Sequence, residues 1–332
     1  MQSTMNAWVL TAPKTLERTS NEPMPVMRED QILVRITASC ICNGSDPGIF
    51  NGHEGYPTPL IFGHEASGVV VRVGKQVQGI QVGQKVCWWF EAGAFAEYVA
   101  VTPEKVALFP VPASLTEMEA PIMELVFAAC RALMDVPAAD GRKRLTICGM
   151  GPSGQVLLQY ARLLGYTTIT CWDLYPQRRE LAKSLGADAV LDPRQLSSEE
   201  VEALEHCDVA VDMMSDDLLP GQPTATLLMR HIRKGGLYVS YGHPPHGRTF
   251  DPYVFQSRDL VMQGPTNDIG NIREKARNIL QWVEQGKIQI TPLISHVIDF
   301  EELGAVFADL LENPDRYMKV IVRPVSSERS AG

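Results

Sequence analysis

No apolar run in this chain approaches the roughly 18 residues that a membrane-spanning helix requires. The opening stretch, MQSTMNAWVLTAPKTLERTS, lacks the basic segment and apolar core of a secretory leader. Basic residues are in deficit, 30 Lys and Arg against 39 Asp and Glu, for a formal net charge of −9. That balance argues against nucleic acid or an anionic membrane as a main partner. Cysteine is sparse and odd in number, with seven scattered residues, which suits reduced thiols in a cytoplasm better than a disulfide framework. Internal repeats and low-complexity segments are absent. What is present, 332 residues of which 45% are hydrophobic and 21% charged, reads as a globular enzyme of two domains.

The first third is expected to be β-rich. QILVRITASC, SGVVVRVG, QKVCWW and AEYVAV are short runs of branched and aromatic residues separated by turn formers. Leu115 to Leu133 has helical spacing, with Ser114 as an expected cap. From Arg144 strands and helices alternate: RLTICGMG, SGQVLLQYARLLG, TTITCWD, PQRRELAKSLG, ADAVLD, CDVAVDMM, TATLLMRHIRKGG and LYVSYG. Such alternation implies βαβ units and a parallel sheet. Near Ile288 the pattern stops, and the tail is expected to fold back onto the first domain. The boundaries expected are 1–138 with 288–332 for one domain and 139–287 for the other.

CGMGPSG sets Gly149, Gly151 and Gly154 in Gly-x-Gly-x-x-Gly spacing, with Pro152 and Ser153 between the last two, at an expected strand–helix junction. The first glycine permits a tight turn, the second lets backbone amides approach a pyrophosphate, and the third lets helix and strand pack closely. Asp173 closes the next strand about 20 residues on, where a ribose-binding carboxylate belongs. Its charge repels a 2′-phosphate, so NAD is favoured over NADP. Arg178 and Arg179 follow, and either could meet a phosphate.

Gly-His-Glu occurs twice, at Gly52–Glu54 and at Gly63–Glu65. With the segments ASCICNGSD, FGHEASGVVVRVG, GAFAEY, APIMELV, KSLGADAVLD, KGGLYVSYG and TPLISHVIDFEELGAVF, the chain resembles the zinc-type medium-chain alcohol and polyol dehydrogenases over nearly its whole length. The resemblance implies an α/β protein with a β-rich (GroES-like) catalytic domain and a doubly wound, parallel-sheet Rossmann domain. It also implies a zinc ion. Only the second Gly-His-Glu runs into the family's glycine-rich strand, which makes His64 a ligand and leaves His53 a loop residue. The cysteine ligand falls on Cys42, with Cys40 as the alternative because Asn43 interrupts the family's Cys-Gly-Ser-Asp. Glu124 matches the carboxylate ligand of polyol-type members, though Leu125 stands where proline is usual. Glu65 approaches the metal directly or organises water, and Asp46 matches the carboxylate that holds the ligand histidine. Three protein ligands leave a fourth position open, as catalysis requires.

The four-cysteine lobe that binds a second, structural zinc in many members is missing. Cys87 stands there alone, so one zinc per subunit is expected. Ser45 matches the hydroxyl that begins proton release. The histidine that often continues it is replaced by Pro47 and Gly48, leaving Glu65 with water, a ribose hydroxyl or His53 to complete the path. Phe50, Trp88, Trp89 and Phe90 are candidates for a pocket wall or for core. The expected activity is reversible NAD-dependent oxidation of a secondary alcohol, of polyol, sugar-alcohol or cyclitol type, to a ketone. A zinc-independent quinone or enoyl reductase and a non-catalytic NAD-binding regulatory protein are the alternatives. KGGLYVSYGHPP and RDLVMQGPT are the segments through which a homodimer or homotetramer would form.

Overall fold

Strand β1 (Thr4–Ala12) pairs antiparallel with β2 (Thr15–Pro23) across a tight turn in which Lys14 takes φ +65°. The computed structural model describes residues 3–53, 55–89, 91–136, 143–214, 223–244 and 247–325. After β3 (Ile32–Ile41) the chain turns into the short helix α1 (Ser45–Phe50), then passes through β4 (Leu60–Ile61) to β5 (Glu65–Val73). Next come β6 (Lys85–Trp89), β7 (Tyr98–Val101), β8 (Ala107–Pro110) and helix α2 (Met123–Met134). The helix begins later than its spacing suggests. Ser114 does not cap it but donates its N–H and hydroxyl to Glu284. Thr116 and Glu119 instead close a turn, through bonds of 2.9 and 2.8 Å, that leads into a 3-10 segment at Ala120–Ile122.

Alternation of strands and helices then builds a parallel sheet. Its elements are β9 (Arg144–Cys148), α3 (Pro152–Leu163), β10 (Thr168–Trp172), α4 (Pro176–Ser184), β11 (Ala189–Leu191), α5 (Ser198–Ala203) and β12 (Cys207–Asp212). Helix α6 (Thr224–His231), β13 (Ile232–Ser240), α7 (Pro252–Ser257) and β14 (Val261–Gln263) complete it. The strand order β11-β10-β9-β12-β13-β14 reverses direction between β9 and β12. Strands β9 and β12 are almost wholly buried, as central strands covered on both faces must be. The sequence reading starts the strand at Leu237; in the structure β13 begins at Ile232, so that Ile232, fully buried, joins the sheet's core and Cys207 pairs with it.

The chain returns through α8 (Ile269–Glu284), β15 (Ile294–Ile298), α9 (Leu303–Glu312) and β16 (Lys319–Val322). Residues Met1–Phe127, Ile269–Gly286 and Ile290–Gly332 form one compact unit, and Ala128–Asp268 with Lys287–Gln289 the other. This differs from the expected boundaries chiefly in α8. That helix buries Ile272, Ala276, Ile279 and Val283 at helical spacing. Its Arg273 donates to the carbonyls of Pro103 and Val106 at 2.5 and 2.8 Å, tying it to the β-rich unit. The largest sheet of that unit runs β15-β16-β3-β5-β6-β8. Strand β3 therefore lies between β16 and β5, with Cys40 opposite Ile321 on one side and Glu65 on the other. No helix among the described residues is long and apolar enough to cross a membrane.

Candidate metal and dinucleotide sites

The metal cluster grows from two adjacent strand ends. Cys42 follows β3, and His64 and Glu65 open β5. Gly63 turns the chain at φ +80°, and a Cβ there would stand 2.5 Å from the Phe95 ring, so no side chain fits. The Cys42 sulfur, a ring nitrogen of His64 and a carboxylate oxygen of Glu65 come within 4.8 Å of one another, the one such group among the described residues. His64 and Glu65 are buried and Cys42 is partly buried.

Asp46, fully buried in the first turn of α1, organises this triangle. Its Oδ1 lies 3.2 Å from His64 Nδ1, and its Oδ2 accepts the Cys42 N–H at 2.9 Å. With Nδ1 held, Nε2 is the ring nitrogen left for a metal. Ser45 donates its N–H to the Cys42 sulfur at 3.4 Å. Burial disfavours an imidazolium, but the Cys42 sulfur and Asp46 together raise the His64 pKa well above its ordinary range. A thiolate, an imidazole and a carboxylate in so small a triangle are the donor types of a zinc site, so the residues fit that ion.

Two parts of the expected ligand set fall elsewhere. Cys40 is wholly buried, its sulfur 3.7 Å from the Ile41 carbonyl oxygen, and burial drives its thiol pKa far up. Glu124 is buried in the first turn of α2 but lies outside the triangle. Lys319 was not expected at the site. From β16 it reaches past β3, with Nζ 2.5 Å from Glu65 Oε2 and 2.7 Å from the Ile41 carbonyl. Burial works against its charge, yet Cys40 and Glu65 outweigh that and raise its pKa. A lysine at the head of the apolar run VIV was the available signal, since lysine is almost never fully buried without a partner.

Around the first Gly-His-Glu, Gly52 takes φ +79° and His53 is an exposed turn residue, while Glu54 lies outside the described residues. Cys87 is buried, with its thiol pushed up to about 12 by burial and its sulfur directed at the Phe109 carbonyl. Of the aromatic candidates, Trp88 is 1% exposed and belongs to the core, and Phe50 packs edge-on against Phe307. Trp89 is partly buried, and Phe90 lies outside the described residues.

In the parallel-sheet unit Gly149, with φ +96°, follows the end of β9, and Gly151 caps α3, with Pro152 and Ser153 in its first turn. A Cβ on Gly154 would stand 2.1 Å from the Gly149 carbonyl, whereas one on Gly151 would meet only Arg178 Nη1, at 4.0 Å. The third glycine is thus demanded by packing, and the second leaves open space where a pyrophosphate would approach the helix N-terminus. Asp173 is held by the N–H groups of Met150 and Tyr175 at 2.7 and 2.8 Å. The two arginines differ. Arg179 donates to the Asp173 and Leu174 carbonyls, while the Arg178 guanidinium lies over the Tyr175 ring at 4.6 Å, beside Gly151. Gln155, overlooked in the sequence, links the two sides of the loop by donating to the carbonyls of Met150 and Arg178.

Comparison with known proteins bears on the family and the fold. Residues 28–113 match the alcohol dehydrogenase GroES-like domain and residues 152–285 match the zinc-binding dehydrogenase domain. The chain belongs to the zinc-type medium-chain dehydrogenase/reductase family. Curated relatives include the sorbitol dehydrogenase of Bacillus subtilis, 29% identical over 91% of this chain and 92% of the relative. The L-threonine 3-dehydrogenase of Bacillus velezensis is 27% identical over 91% of this chain and 94% of its own length. The fold matches 2R,3R-butanediol dehydrogenase from Bacillus subtilis with a TM-score of 0.81 at 21% identity, covering 97% of this chain and 100% of that one. The family's catalytic and Rossmann folds are thus the two units described above.

Proposed function

We propose that the protein is an NAD-dependent, zinc-assisted dehydrogenase of secondary alcohols, acting reversibly on polyol-like substrates. The observation that carries this reading is the triangle of Cys42, His64 and Glu65. Those residues would hold one zinc ion, with Glu124, buried in the first turn of α2, as the reserve carboxylate. Bound there, zinc would supply Lewis acidity that lowers the pKa of the alcohol. Asp46 orients the His64 ring. Ser45 takes the departing proton from the alcohol and passes it toward solvent.

Asp173 accepts the ribose hydroxyls of NAD, and the loop of Gly149, Gly151, Pro152, Ser153 and Gly154 accommodates the pyrophosphate. Arg178, the cation beside Gly151, is the side chain that admits some NADP. Bound there, the nicotinamide would supply the acceptor for the hydride of the carbinol carbon. The polyol preference is supported by the sorbitol dehydrogenase likeness and by Glu124, the residue that matches the carboxylate of polyol-type members. Seven free cysteines suit a cytoplasmic enzyme. Val261 and Met262, exposed on the last strand of the parallel sheet, support a homodimer or homotetramer formed along that edge.

The test is a panel of polyols and secondary alcohols offered with NAD to zinc-loaded and zinc-stripped protein. NADH formation that depends on about one zinc per chain is the expected result. Turnover undiminished by stripping would favour a zinc-independent reductase. Dinucleotide binding without turnover of any substrate would favour a regulatory protein.

A further inference from the structure

The parallel sheet contains a buried ion pair that the glycine loop by itself does not require. Asp212 ends β12 and is fully buried. Its Oδ2 accepts the Tyr238 O–H at 2.7 Å and pairs with Arg248 Nη1, and its Oδ1 accepts the Met214 N–H at 3.1 Å. Arg248 donates from Nη2 to the Met214 carbonyl at 2.6 Å, and its side chain is 9% exposed. The ion pair thus grips both backbone polar groups of one residue. Arg248 Nε has no hydrogen-bond partner among the described residues.

Met214 stands at a sensitive place. A Cβ on Gly149 would lie 3.0 Å from its sulfur, and one on Gly242 would lie 1.8 Å from its carbonyl oxygen. The gripped residue therefore borders the first glycine of the phosphate loop, at the carboxyl ends of β9 and β12. Strand order reverses there, the point at which open α/β sheets bind ligands. A buried charge pair is a poor source of stability compared with apolar packing of the same volume. What this one provides is a fixed position for Met214 against Gly149.

We infer that Arg248 is a positioning residue for the dinucleotide: by clamping Met214 it sets the wall of the crevice against which the cofactor packs. The inference rests on the dinucleotide reading of the glycine loop. The experiment is fluorescence titration of purified protein with NADH, run beside melting of the unliganded protein, for wild type, Arg248→Lys and Arg248→Met. Lysine keeps a positive charge beside Asp212 but lacks the planar fork that reaches two acceptors at once. Arg248→Lys is expected to weaken NADH binding about tenfold, or about 1.4 kcal/mol, with the melting temperature of the unliganded protein nearly unchanged. Should Arg248→Met fail to fold, the lysine variant carries the test alone. An NADH affinity in folded Arg248→Lys within about twofold of wild type overturns the inference. Wild-type protein that binds neither NADH nor NADPH would instead remove the dinucleotide reading beneath it.

Discussion

Lys319 Nζ sits 2.5 Å from Glu65 Oε2, and both side chains are shut away from solvent. Among the described residues this is the one ion pair of Glu65, and its lysine comes from more than 250 positions further along the chain. Removing it by Lys319→Met leaves a buried carboxylate without its partner. The expected cost is about 3–5 kcal/mol in zinc-free protein, the range for breaking a buried pair. Zinc would restore a positive charge beside Glu65, so the loss should be smaller in the loaded protein. Urea unfolding with and without a chelator measures both, and equal losses in the two states would count against Glu65 lying near the metal.

Zinc content separates the candidate ligands. Cys42→Ser and His64→Ala are expected to lose the ion, whereas Cys40→Ser retains it, because the Cys40 sulfur is not one of the three donors of the triangle. Glu65→Gln and Glu124→Gln, assayed side by side by elemental analysis, show which carboxylate completes the set. Retention of zinc by both would leave the site with only two protein donors and sink the proposed ligation.

Asp46→Asn tests the support behind His64. Both carboxylate oxygens of Asp46 are engaged, one by the imidazole and one by the Cys42 N–H. Loss of such a contact behind a ligand typically costs 10–100-fold in metal affinity, so zinc competition with a chelating dye should shift by roughly that factor. An unchanged affinity would show that the His64 ring is oriented by other contacts.

Cofactor preference should move with one charge. Asp173→Asn removes the carboxylate that would repel a 2′-phosphate while Arg178 stays beside Gly151. The ratio of kcat/KM for NADP over NAD is expected to rise about tenfold, or about 1.4 kcal/mol. Adding Arg178→Ala should reverse most of that gain. A ratio that does not respond to either change would place the ribose elsewhere.

Acid sensitivity has an identifiable source in the parallel-sheet unit. His231 is buried, with Nε2 3.0 Å from the Thr146 hydroxyl, and its pKa is lowered to about 4, first by burial and then by the charges of His206 and Arg258. The folded state therefore favours the neutral ring. The resulting stability is complete above an unfolded pKa of about 6.5 and is lost as pH falls from there toward about 4. Over that window the expected loss is roughly 3 kcal/mol, an order-of-magnitude figure. His231→Gln, which does not titrate, should flatten this part of the stability profile measured by urea unfolding.

Sequence reading captured what local chemistry dictates. The glycine spacing, the acid that closes β10 and the alternation after Arg144 are short-range signals, and the elements follow in the order they indicate, with β13 beginning five residues early. Cys42 and His64 were legible through order along the chain. What escaped were side chains whose partners are far away. Lys319 has meaning only once β16 is seen beside β3, and Arg248 only once its loop is seen over the end of β12. Helix α8 groups with the β-rich unit by its contacts, which sequence continuity does not indicate, because an amphipathic face shows that a surface is buried without saying which partner covers it. The pairing of Glu65 with a lysine could not be read from the Gly-His-Glu motif for the same reason.

The antiparallel pairing of β16 with β3 has a consequence for biosynthesis. The three donor atoms of the triangle all belong to the first 65 residues, whereas Lys319 lies 278 positions beyond the Ile41 carbonyl that it also binds. At the pace of translation, about 5–20 residues per second, a ribosome needs many seconds to deliver that lysine after the thiolate and imidazole have emerged. During that interval the three proposed donors would stand without the Lys319 charge behind Glu65, and the arrival of β16 sets the moment at which that charge joins them.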